Sequence, residues 1–485
     1  MIDTALIRTK VLEQAVMGEL SFEFDSNVDS LIELREASNR NVVETKNEVP
    51  YELKEGWHWF ALSELGSDDK HSFADGPFGS NLKKEHYTEN AEVRIIQLSN
   101  VGELGWKNEN VRYTTFEHLV TIQRSEVKAG NIVIAKMMPA GRAIIVPDID
   151  EKYVLSSDCV KFVPCEFLNT EYLCYAINSS MFRKQVLQDV HGIGRERTSL
   201  SKLKTYLLPI PCRAEQDYIV EKINKAYEQL ASLDILQTQY SSDLEVLKSK
   251  IIDAGIQGKL TEQLPEDGTA EELLEQIAEE KKLLIKEKKV KATKALPEIT
   301  EDEIPFEIPA NWKWARLEGI TANVDIPMAD GPFGSNLKKE HYTEKKEVRI
   351  IQLSNVGQDG WRNENVKYTT FEHLKTIERS AVSAGDIVIA KMMPAGRAII
   401  VPGLEQQYVL SSDCVKFIPH ANVLTKFVCF AINSEMFRKQ VYGKVTGVGR
   451  ERTSLSKLKS FLIPVPPLAE QKRIVSKIED ILKAL

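Results

Sequence analysis

Four loops concentrate amide, hydroxyl and basic side chains of the kind that contact the phosphates and base edges of a nucleic acid. Loop 1 (75–84) has two glycines, which let backbone N–H groups approach a phosphate, and loop 2 (97–100) has amides that can pair with an adenine edge. Loop 3 (136–142) is a turn with a charge at each end, and loop 4 (192–202) is dense in Arg, Thr, Ser and Lys. The predicted contacts are Ser80, Asn81, Lys83, Lys84, Gln97, Ser99, Asn100, Lys136, Arg142, Arg195, Arg197 and Lys202. The phosphate contacts would supply affinity and register, and the amides would supply sequence preference.

Each of these loops also has a purely structural interpretation. The glycines of loop 1 can serve a turn with positive φ. Loop 2 can cap the end of a strand, and Ser199 or Ser201 in loop 4 can cap the turn that follows. The sequence leaves both interpretations open.

Signatures of catalysis and of cofactor binding are missing from the sequence. It has no GxxxxGK[ST] phosphate loop, no glycine-rich strand–turn–helix for a nucleotide or S-adenosylmethionine, and no acidic and lysine cluster of a nuclease core. His86 and His118 have no serine or cysteine nucleophile motif beside them, so we expect surface or capping histidines. The six cysteines lack metal-ligand spacing and are expected to be reduced, packed thiols. We therefore expect no catalytic residue, metal or cofactor in this chain.

The four loops occur twice. Residues 74–89 are repeated letter for letter at 329–344, an offset of 255 (329 − 74) that continues without a gap to the end of the chain. A repeat this long indicates a duplicated domain and not a solenoid or propeller. The second set of predicted contacts is Ser335, Asn336, Lys338, Lys339, Gln352, Ser354, Asn355, Lys391, Arg397, Arg450, Arg452 and Lys457.

The composition is that of a soluble globular protein. The chain is 42% hydrophobic and 28% charged, and none of its apolar runs approaches the ~20 residues of a membrane span. Its net charge of −8 is mildly unfavourable for nucleic-acid binding, but the acidic excess lies in the connections between the repeated domains. Because the sequence shows no secretory leader, we expect a cytoplasmic protein.

A long helix is predicted between the repeated domains. Apolar residues recur with heptad spacing from residue 214 to about 258, and a second helix is predicted from about 270 to 289. A helix this long exceeds the width of a small domain, which favours a spacer packed against a partner helix. Residues 7–20 match 247–260, an offset of 240 (247 − 7), so the N-terminus is homologous to the end of the central helix. The two terminal segments would then rebuild a second copy of that helix in a circularly permuted pseudo-dimer whose termini lie close together.

Each repeated domain is predicted to be α+β. Strands are predicted at residues 93–98, 132–137, 142–146 and 159–163, and helices at 116–121 and 170–188. The predicted order is an N-terminal helical segment (1–48), a first domain (49–213), a central helical spacer (214–303), a second domain (304–468) and a C-terminal helix (469–485).

Several motifs resemble those of type I restriction–modification specificity subunits. They are the proline–Glu–Gln junctions at 208–216 and 463–471, the Pro-x-x-Trp-x-Trp start of the second domain (Pro309, Trp312, Trp314), the Gly-Pro-Phe-Gly-Ser loop and the Ser-x-x-Lys-Leu-Lys run before each junction. The permuted two-domain layout is similar to that family over essentially the whole chain. Two features depart from it: Cys212-Arg213 replace the usual residues of the first junction, and the N-terminal segment is 15 residues (255 − 240) shorter than its counterpart.

The resemblance implies that each domain is a target recognition domain for one half of a split DNA site. The long antiparallel conserved helices would set the spacing and dock two modification subunits, which methylate adenine at N6. S-adenosylmethionine, ATP and Mg²⁺ would belong to partner subunits, which can include two restriction (translocase/nuclease) subunits. Because the two domains are near-identical and related by a pseudo-two-fold, we predict that each reads the same half-site in opposite orientation, which gives an interrupted inverted repeat.

Two other classes of function remain open. An enzyme with an unrecognised methyltransferase or nuclease core would show activity in the purified chain alone. An architectural or interaction protein that binds DNA without sequence preference would show a flat competition profile between specific and random DNA.

Overall fold

The structure, a computed structural model, describes residues 1–20, 49–78, 81–137, 140–150, 152–188, 197–292, 297–392, 395–405, 407–443 and 452–485. The chain forms two units, unit 1 (Met1–Thr238) and unit 2 (Gln239–Leu485). Each unit joins one repeated domain to helical segments from both sides of it, and the boundary falls inside the predicted central spacer. The predicted closeness of the two termini depends on how the units are arranged and stays a prediction.

Unit 1 contains a mixed set of short strands and helices, as predicted for an α+β domain. Its helices are α1 (Thr4–Val16), α2 (Phe116–Thr121), α3 (Thr170–Asn178), α4 (Ser180–Gln188), α5 (Leu200–Leu203) and the start of α6 (Arg213–Ile256). Its strands are β1 (His58–Ala61), β2 (Phe73–Asp75), β3 (Tyr87–Thr88), β4 (Val93–Ile96), β5 (Val101–Gly102), β6 (Gly105–Trp106), β7 (Tyr113–Thr114), β8 (Glu126–Val127), β9 (Ile132–Ala135), β10 (Ala143–Ile145), β11 (Tyr153–Leu155), β12 (Cys159–Phe162) and β13 (Leu207–Ile210).

The strands of unit 1 form two main sheets. A four-stranded antiparallel sheet has the order β10-β9-β12-β2, and a five-stranded sheet has the order β3-β7-β4-β11-β8, in which β4 and β11 run parallel. Strands β4, β9 and β12 are buried along their whole length, which explains why β-branched residues dominate β4 and β9. A two-stranded ribbon pairs β1 with β13, and β5 pairs with β6 in a small hairpin.

Unit 2 repeats this architecture with the same strand orders. Its helices are the rest of α6, α7 (Ala270–Lys286), α8 (Phe371–Thr376), α9 (Thr425–Asn433), α10 (Glu435–Gly443), α11 (Leu455–Ser460) and α12 (Leu468–Ala484). Its strands are β14 (Lys313–Arg316), β15 (Met328–Asp330), β16 (Tyr342–Thr343), β17 (Val348–Ile351), β18 (Val356–Gly357), β19 (Gly360–Trp361), β20 (Tyr368–Thr369), β21 (Ala381–Val382), β22 (Ile387–Ala390), β23 (Ala398–Ile400), β24 (Tyr408–Leu410), β25 (Cys414–Phe417) and β26 (Leu462–Val465). The duplication inferred from the sequence is therefore also a duplication of fold.

The predicted helices are confirmed with one correction. The central helix, the helix that follows it and the helix at 116–121 form as predicted, but residues 170–188 form two helices with Ser179 between them. Ser179 has an extended backbone (ψ 154°), and its Oγ accepts a hydrogen bond from the N–H of Phe182 at 3.3 Å. A serine that caps a new helix in this way ends the preceding one, and Ser434 repeats the arrangement in unit 2.

The proline–Glu–Gln junctions fasten the repeated domains to the helices. Glu215 is buried at the start of α6 and accepts a hydrogen bond from the indole N–H of Trp57 at 3.0 Å. Gln216, also buried, donates to the carbonyl of Pro211 and accepts from the N–H of Asn169, both at 2.9 Å. Glu470 and Gln471 make the equivalent bonds in unit 2. The proline–Glu–Gln motif, one of those that carry the family resemblance, thus has a structural role.

The helical segments pack on their own unit. Helix α1 buries Leu12 and Val16 in the same core as Ile219 and Ile223 of α6. In unit 2, Gly255 of α6 lies so close to α12 that a Cβ atom there would be 2.7 Å from Cδ1 of Ile478. Within the described ranges, no helix combines the length and the apolar character needed to cross a membrane. Residues 21–48, which belong to the predicted N-terminal helical segment, lie outside the described residues.

Candidate nucleic-acid interface

Loops 1, 3 and 4 meet at one edge of the four-stranded sheet. Loop 1 leaves the end of β2 and loop 3 leaves the end of β9, and both ends pair with the beginning of β12. Loop 4 joins them because Arg197 forms a bridge with Met137 and the N–H of Thr198 donates to the carbonyl of Lys136 at 2.9 Å. The same contacts recur in unit 2 through Arg452 and Met392. Three of the four loops singled out in the sequence are therefore neighbours in each unit.

Loop 2 lies next to loop 1 through a shared neighbour, Ser156. The N–H of Ser156 donates to the carbonyl of Ile96, directly before loop 2, at 2.8 Å. The carbonyl oxygen of Ser156 packs against Gly76 of loop 1, where an added Cβ would be only 1.8 Å away. Gly76 is thus required by close backbone approach, as is Gly331 in unit 2.

The polar tip of loop 1 is exposed in both units. Asn81, Lys83 and Lys84 are exposed in unit 1, while Ser80 lies outside the described residues. Their counterparts in unit 2, including the serine, are all exposed: Ser335, Asn336, Lys338 and Lys339. These side chains are free to contact a ligand, and they stay predicted contacts.

Two stacked histidines hold this tip in place. The rings of His86 and His118 lie 4.0 Å apart, with 21° between their planes. Nε2 of His118 donates to the carbonyl of Asn81 at 2.8 Å, and Nδ1 of His86 accepts from the N–H of Lys83 at 3.0 Å. His341 and His373 repeat the stack at 4.1 Å. The histidines therefore cap and orient loop 1, in agreement with a capping role rather than a catalytic one.

Loop 2 contains a correction to the predicted contacts. Asn100 is fully buried; its Oδ1 accepts from the N–H of Gln97 at 2.9 Å, and its Nδ2 donates to the carbonyls of Lys107 and Glu109 at 3.0 and 2.7 Å. Asn355 does the same in unit 2. The carboxamides are fully used, so both residues cap the loop and do not reach a base. Gln97, Ser99, Gln352 and Ser354 are half-buried beside them.

We predict that Asn100→Ala destabilises unit 1 by about 3 kcal/mol, because it leaves an N–H and two carbonyl groups buried without partners. Urea unfolding of the purified chain measures this loss. Asn81→Ala is the matched control, since the same side chain is removed from an exposed site; it should leave stability unchanged. Equal stability of the two variants would contradict the structural role of Asn100.

Loop 3 contains the second correction. Lys136 is buried, with a side chain 2% exposed, and its Nζ lies 2.6 Å from Oδ1 of Asp75. Lys391 and Asp330 form the same pair at 2.6 Å. These lysines are structural ion-pair partners and not phosphate contacts. Arg142 and Arg397, at the other end of the loop, are only half-buried.

Loop 4 is described in part. Arg195 and Arg450 lie outside the described residues, whereas Arg197 and Arg452 are exposed and Lys202 and Lys457 are half-buried. Ser199 caps α5, because its side chain accepts from the N–H of Lys202 at 3.3 Å. The capping interpretation of Ser199 is thus the one that the structure shows.

Sequence reasoning missed an exposed aromatic residue in loop 1. Phe78 is 57% exposed, and its ring centroid lies 4.9 Å from Nζ of the buried Lys136. Phe333 repeats this geometry at 4.8 Å. The presence of phenylalanine in both copies of this loop could have indicated a contact residue, but a phenylalanine is expected first to be a core residue.

Comparison with known proteins identifies the family. The model of the type I restriction modification DNA specificity domain matches residues 80–238 and 334–485. The specificity subunit of the type I restriction enzyme EcoEI from Escherichia coli is 23% identical, over 90% of this chain and 80% of its own. The EcoAI specificity subunit, also from Escherichia coli, is 25% identical over the same shares. A solved structure of the type I R-M system is similar in fold, with a TM-score of 0.56, 16% identity, and coverage of 90% of this chain and 92% of its own. We conclude that the chain belongs to the type I restriction-modification DNA specificity family, as a specificity subunit and not a catalytic one.

Proposed function

We propose that the two domains of this specificity subunit read the same DNA half-site in opposite orientation, so that the target is an interrupted inverted repeat. The observation that carries this proposal is the recurrence of the loop cluster: loops 1, 3 and 4 have the same contacts in unit 2 as in unit 1. The exposed residues of loop 1 are identical in the two copies, so the same side chains are presented to DNA twice. Two domains that present the same side chains to DNA are expected to select the same half-site sequence.

The helices of the chain would set the distance between the half-sites and dock two modification subunits for adenine N6 methylation. The long helix α6, which reaches from the first domain into unit 2, supports a spacer role. In this proposal S-adenosylmethionine, ATP and Mg²⁺ belong to the partner subunits, and a pair of restriction subunits completes the complex where DNA is cleaved. The complex would act in the cytoplasm, where its DNA target lies.

A map of methylated adenines tests the proposal. Cells would express the chain with its modification subunit, and the control cells would express the modification subunit alone. We expect a split motif with identical inverted halves, present only when the chain is present. An asymmetric motif would retain the specificity role but refute identical reading by the two domains. The absence of methylation with both proteins folded would favour the architectural alternative.

A further inference from the structure

A cluster of arginines lies beside loop 3 in each unit. In unit 1 the arginine cluster consists of Arg142, at the end of loop 3, and Arg183, on α4. Burial lowers the pKa of Arg183, and the positive charge of Arg142 lowers that pKa further. The equivalent residues in unit 2 are Arg397 and Arg438 (142 + 255 and 183 + 255).

The cluster in unit 2 has a third member, Arg362. Burial lowers the pKa of Arg397, and the charges of Arg438 and Arg362 lower it further. Asp359 and Tyr442 raise the pKa of Arg397. The carboxylate of Asp359 is shared with another cation, because its Oδ1 lies 3.3 Å from Nζ of Lys248. The packing agrees, because loop 3 lies against the helix that carries Arg183 or Arg438: an added Cβ would be 2.9 Å from Cγ2 of Val186 at Gly141 and 2.8 Å from Cγ2 of Val441 at Gly396. Arginines from separate parts of the domain therefore lie near one another in both units.

Three guanidinium groups of the two clusters are incompletely hydrogen-bonded. The Nε atoms of Arg142, Arg183 and Arg397 are buried and have no hydrogen-bond partner in the part of the chain that the structure describes. In unit 1 the nearest acid is Glu103, whose Oε2 is 3.9 Å from Nη2 of Arg142 and whose side chain is 71% exposed. The residue equivalent to Glu103 in unit 2 is Gln358, which carries no charge.

One member of the cluster, Arg183, opens onto a cleft in unit 1. Arg183 lines this cleft, which has a volume of about 950 Å³, together with Lys107, Lys184 and Arg8. Lys107 is the residue equivalent to Arg362. Glu103 and Glu171 line the same cleft, so its wall carries four basic and two acidic side chains, and its volume can hold a segment of sugar and phosphate groups.

Holding arginines together with fewer counter-charges than positive charges destabilises the folded protein, and a bound anion would reduce that cost. The planar guanidinium fork matches the oxygens of a phosphate group, with which it makes two parallel hydrogen bonds. We propose that the arginine cluster of each unit binds a phosphate group, and that this group is a phosphodiester of the DNA backbone next to the half-site read by that unit. The choice of DNA rests on the proposed function, because Arg142 and Arg397 belong to the loop cluster that would face it.

The double variant Arg183→Gln/Arg438→Gln tests the proposal. In the complex with the modification subunits, DNA affinity should fall about tenfold, and the slope of log K against log salt should decrease by about two, because each unit then neutralises one phosphate fewer. The thermal unfolding temperature of the purified chain should stay the same or rise, because the repulsion is relieved. A structural role predicts the opposite pair of results, a lower unfolding temperature with an unchanged salt slope, and that pair would overturn the proposal.

Three controls separate the alternatives. Lys439→Gln removes a charge from the same helix as Arg438, at an exposed site paired with Glu435, and should leave the salt slope unchanged. Arg183→Lys/Arg438→Lys keeps the charge without the planar fork and should give an intermediate affinity. Arg438→Gln alone should weaken binding more than Arg183→Gln, because the cluster of unit 2 has the additional arginine and no facing glutamate.

The source of the phosphate is tested with inorganic phosphate. If millimolar phosphate raises the unfolding temperature of the wild type but not of the double variant, while the DNA salt slope is the same in both, the site takes a free phosphate and not the DNA backbone. Failure of the proposed function would look different. In that case the wild-type complex would not distinguish its target from a scrambled duplex, whatever the arginine variants do.

Discussion

A duplex with the inverted repeat should lose the same binding free energy whichever of its half-sites is scrambled. The exposed tip of loop 1 presents Asn81, Lys83 and Lys84 in unit 1 and the same three residue types in unit 2. A mismatched base pair in a specific site costs about 1–3 kcal/mol, so a scrambled half-site of several base pairs should cost on the order of 4 kcal/mol, about a thousandfold in affinity. Competition titrations of the complex with left-scrambled and right-scrambled duplexes measure both losses under the same salt conditions.

Matched protein variants extend this experiment. Asn81→Ala and Asn336→Ala remove the same exposed amide from the two copies of loop 1, so they should weaken binding by equal factors. Each variant should also become less sensitive to scrambling of one half-site only. Equal reading of the half-sites would be wrong if one half-site dominated the affinity. It would also be wrong if the DNA affinities of the two variants differed by more than about threefold, which corresponds to about 0.7 kcal/mol.

The hairpin between β5 and β6 is supported by different contacts in the two units. In unit 2 the equivalent hairpin is tied to helix α6, through the ion pair of Lys248 with Asp359 and a hydrogen bond from Gln358 to Glu245. In unit 1 the residue equivalent to Asp359 is Leu104, and Arg8, which corresponds to Lys248, pairs with Asp234 at 2.7 Å instead. The four loops thus have nearly the same sequence in both units, but the contacts that hold the neighbouring hairpin differ. An inequality between the half-sites would therefore be traced first to this hairpin.

The sequence allowed the fold to be predicted because its signals are local and repeated. The heptad pattern of α6 and the β-branched runs of β4 and β9 are local signals that need no knowledge of tertiary contacts. The break at Ser179 was missed because a serine inside an amphipathic pattern is also compatible with a continuous helix. The duplication required only a comparison of the chain with itself.

The candidate contacts were predicted less well, for a physical reason. Asn100 and Asn81 are both asparagines in polar loops, and only the strand pairing decides that the first is buried and the second exposed. Lys136 was expected to contact phosphate because it begins a turn, but the turn starts inside the sheet, where its side chain meets Asp75. Burial of a polar side chain follows from which strands become neighbours, and that information is not local in the sequence.

Asp75→Ala should strongly destabilise unit 1. The side chain of Lys136 is 2% exposed, so removal of its partner at 2.6 Å leaves a buried charge beside the ring of Phe78. Loss of one partner of a buried ion pair costs about 3–5 kcal/mol. The variant should also lose DNA binding, because Asp75 and Phe78 belong to loop 1 itself. Urea unfolding of the purified chain measures the loss, and Asp330→Ala should reproduce it in unit 2.

The double variant Asp75→Ala/Lys136→Met separates the cost of an unpaired charge from the loss of packing. Because it removes both charges and keeps an apolar chain of similar length, it should recover most of the stability that Asp75→Ala loses. The matched control is Glu435→Ala, which breaks an exposed pair with Lys439 on the surface of α10 and should cost less than about 1 kcal/mol. If the double variant were as unstable as the single one, the pair would stabilise the protein through the packing and the hydrogen bond of the two side chains and not through compensation of a buried charge. Recovery of stability without recovery of DNA binding would show that the ion pair holds loop 1 in its reading position.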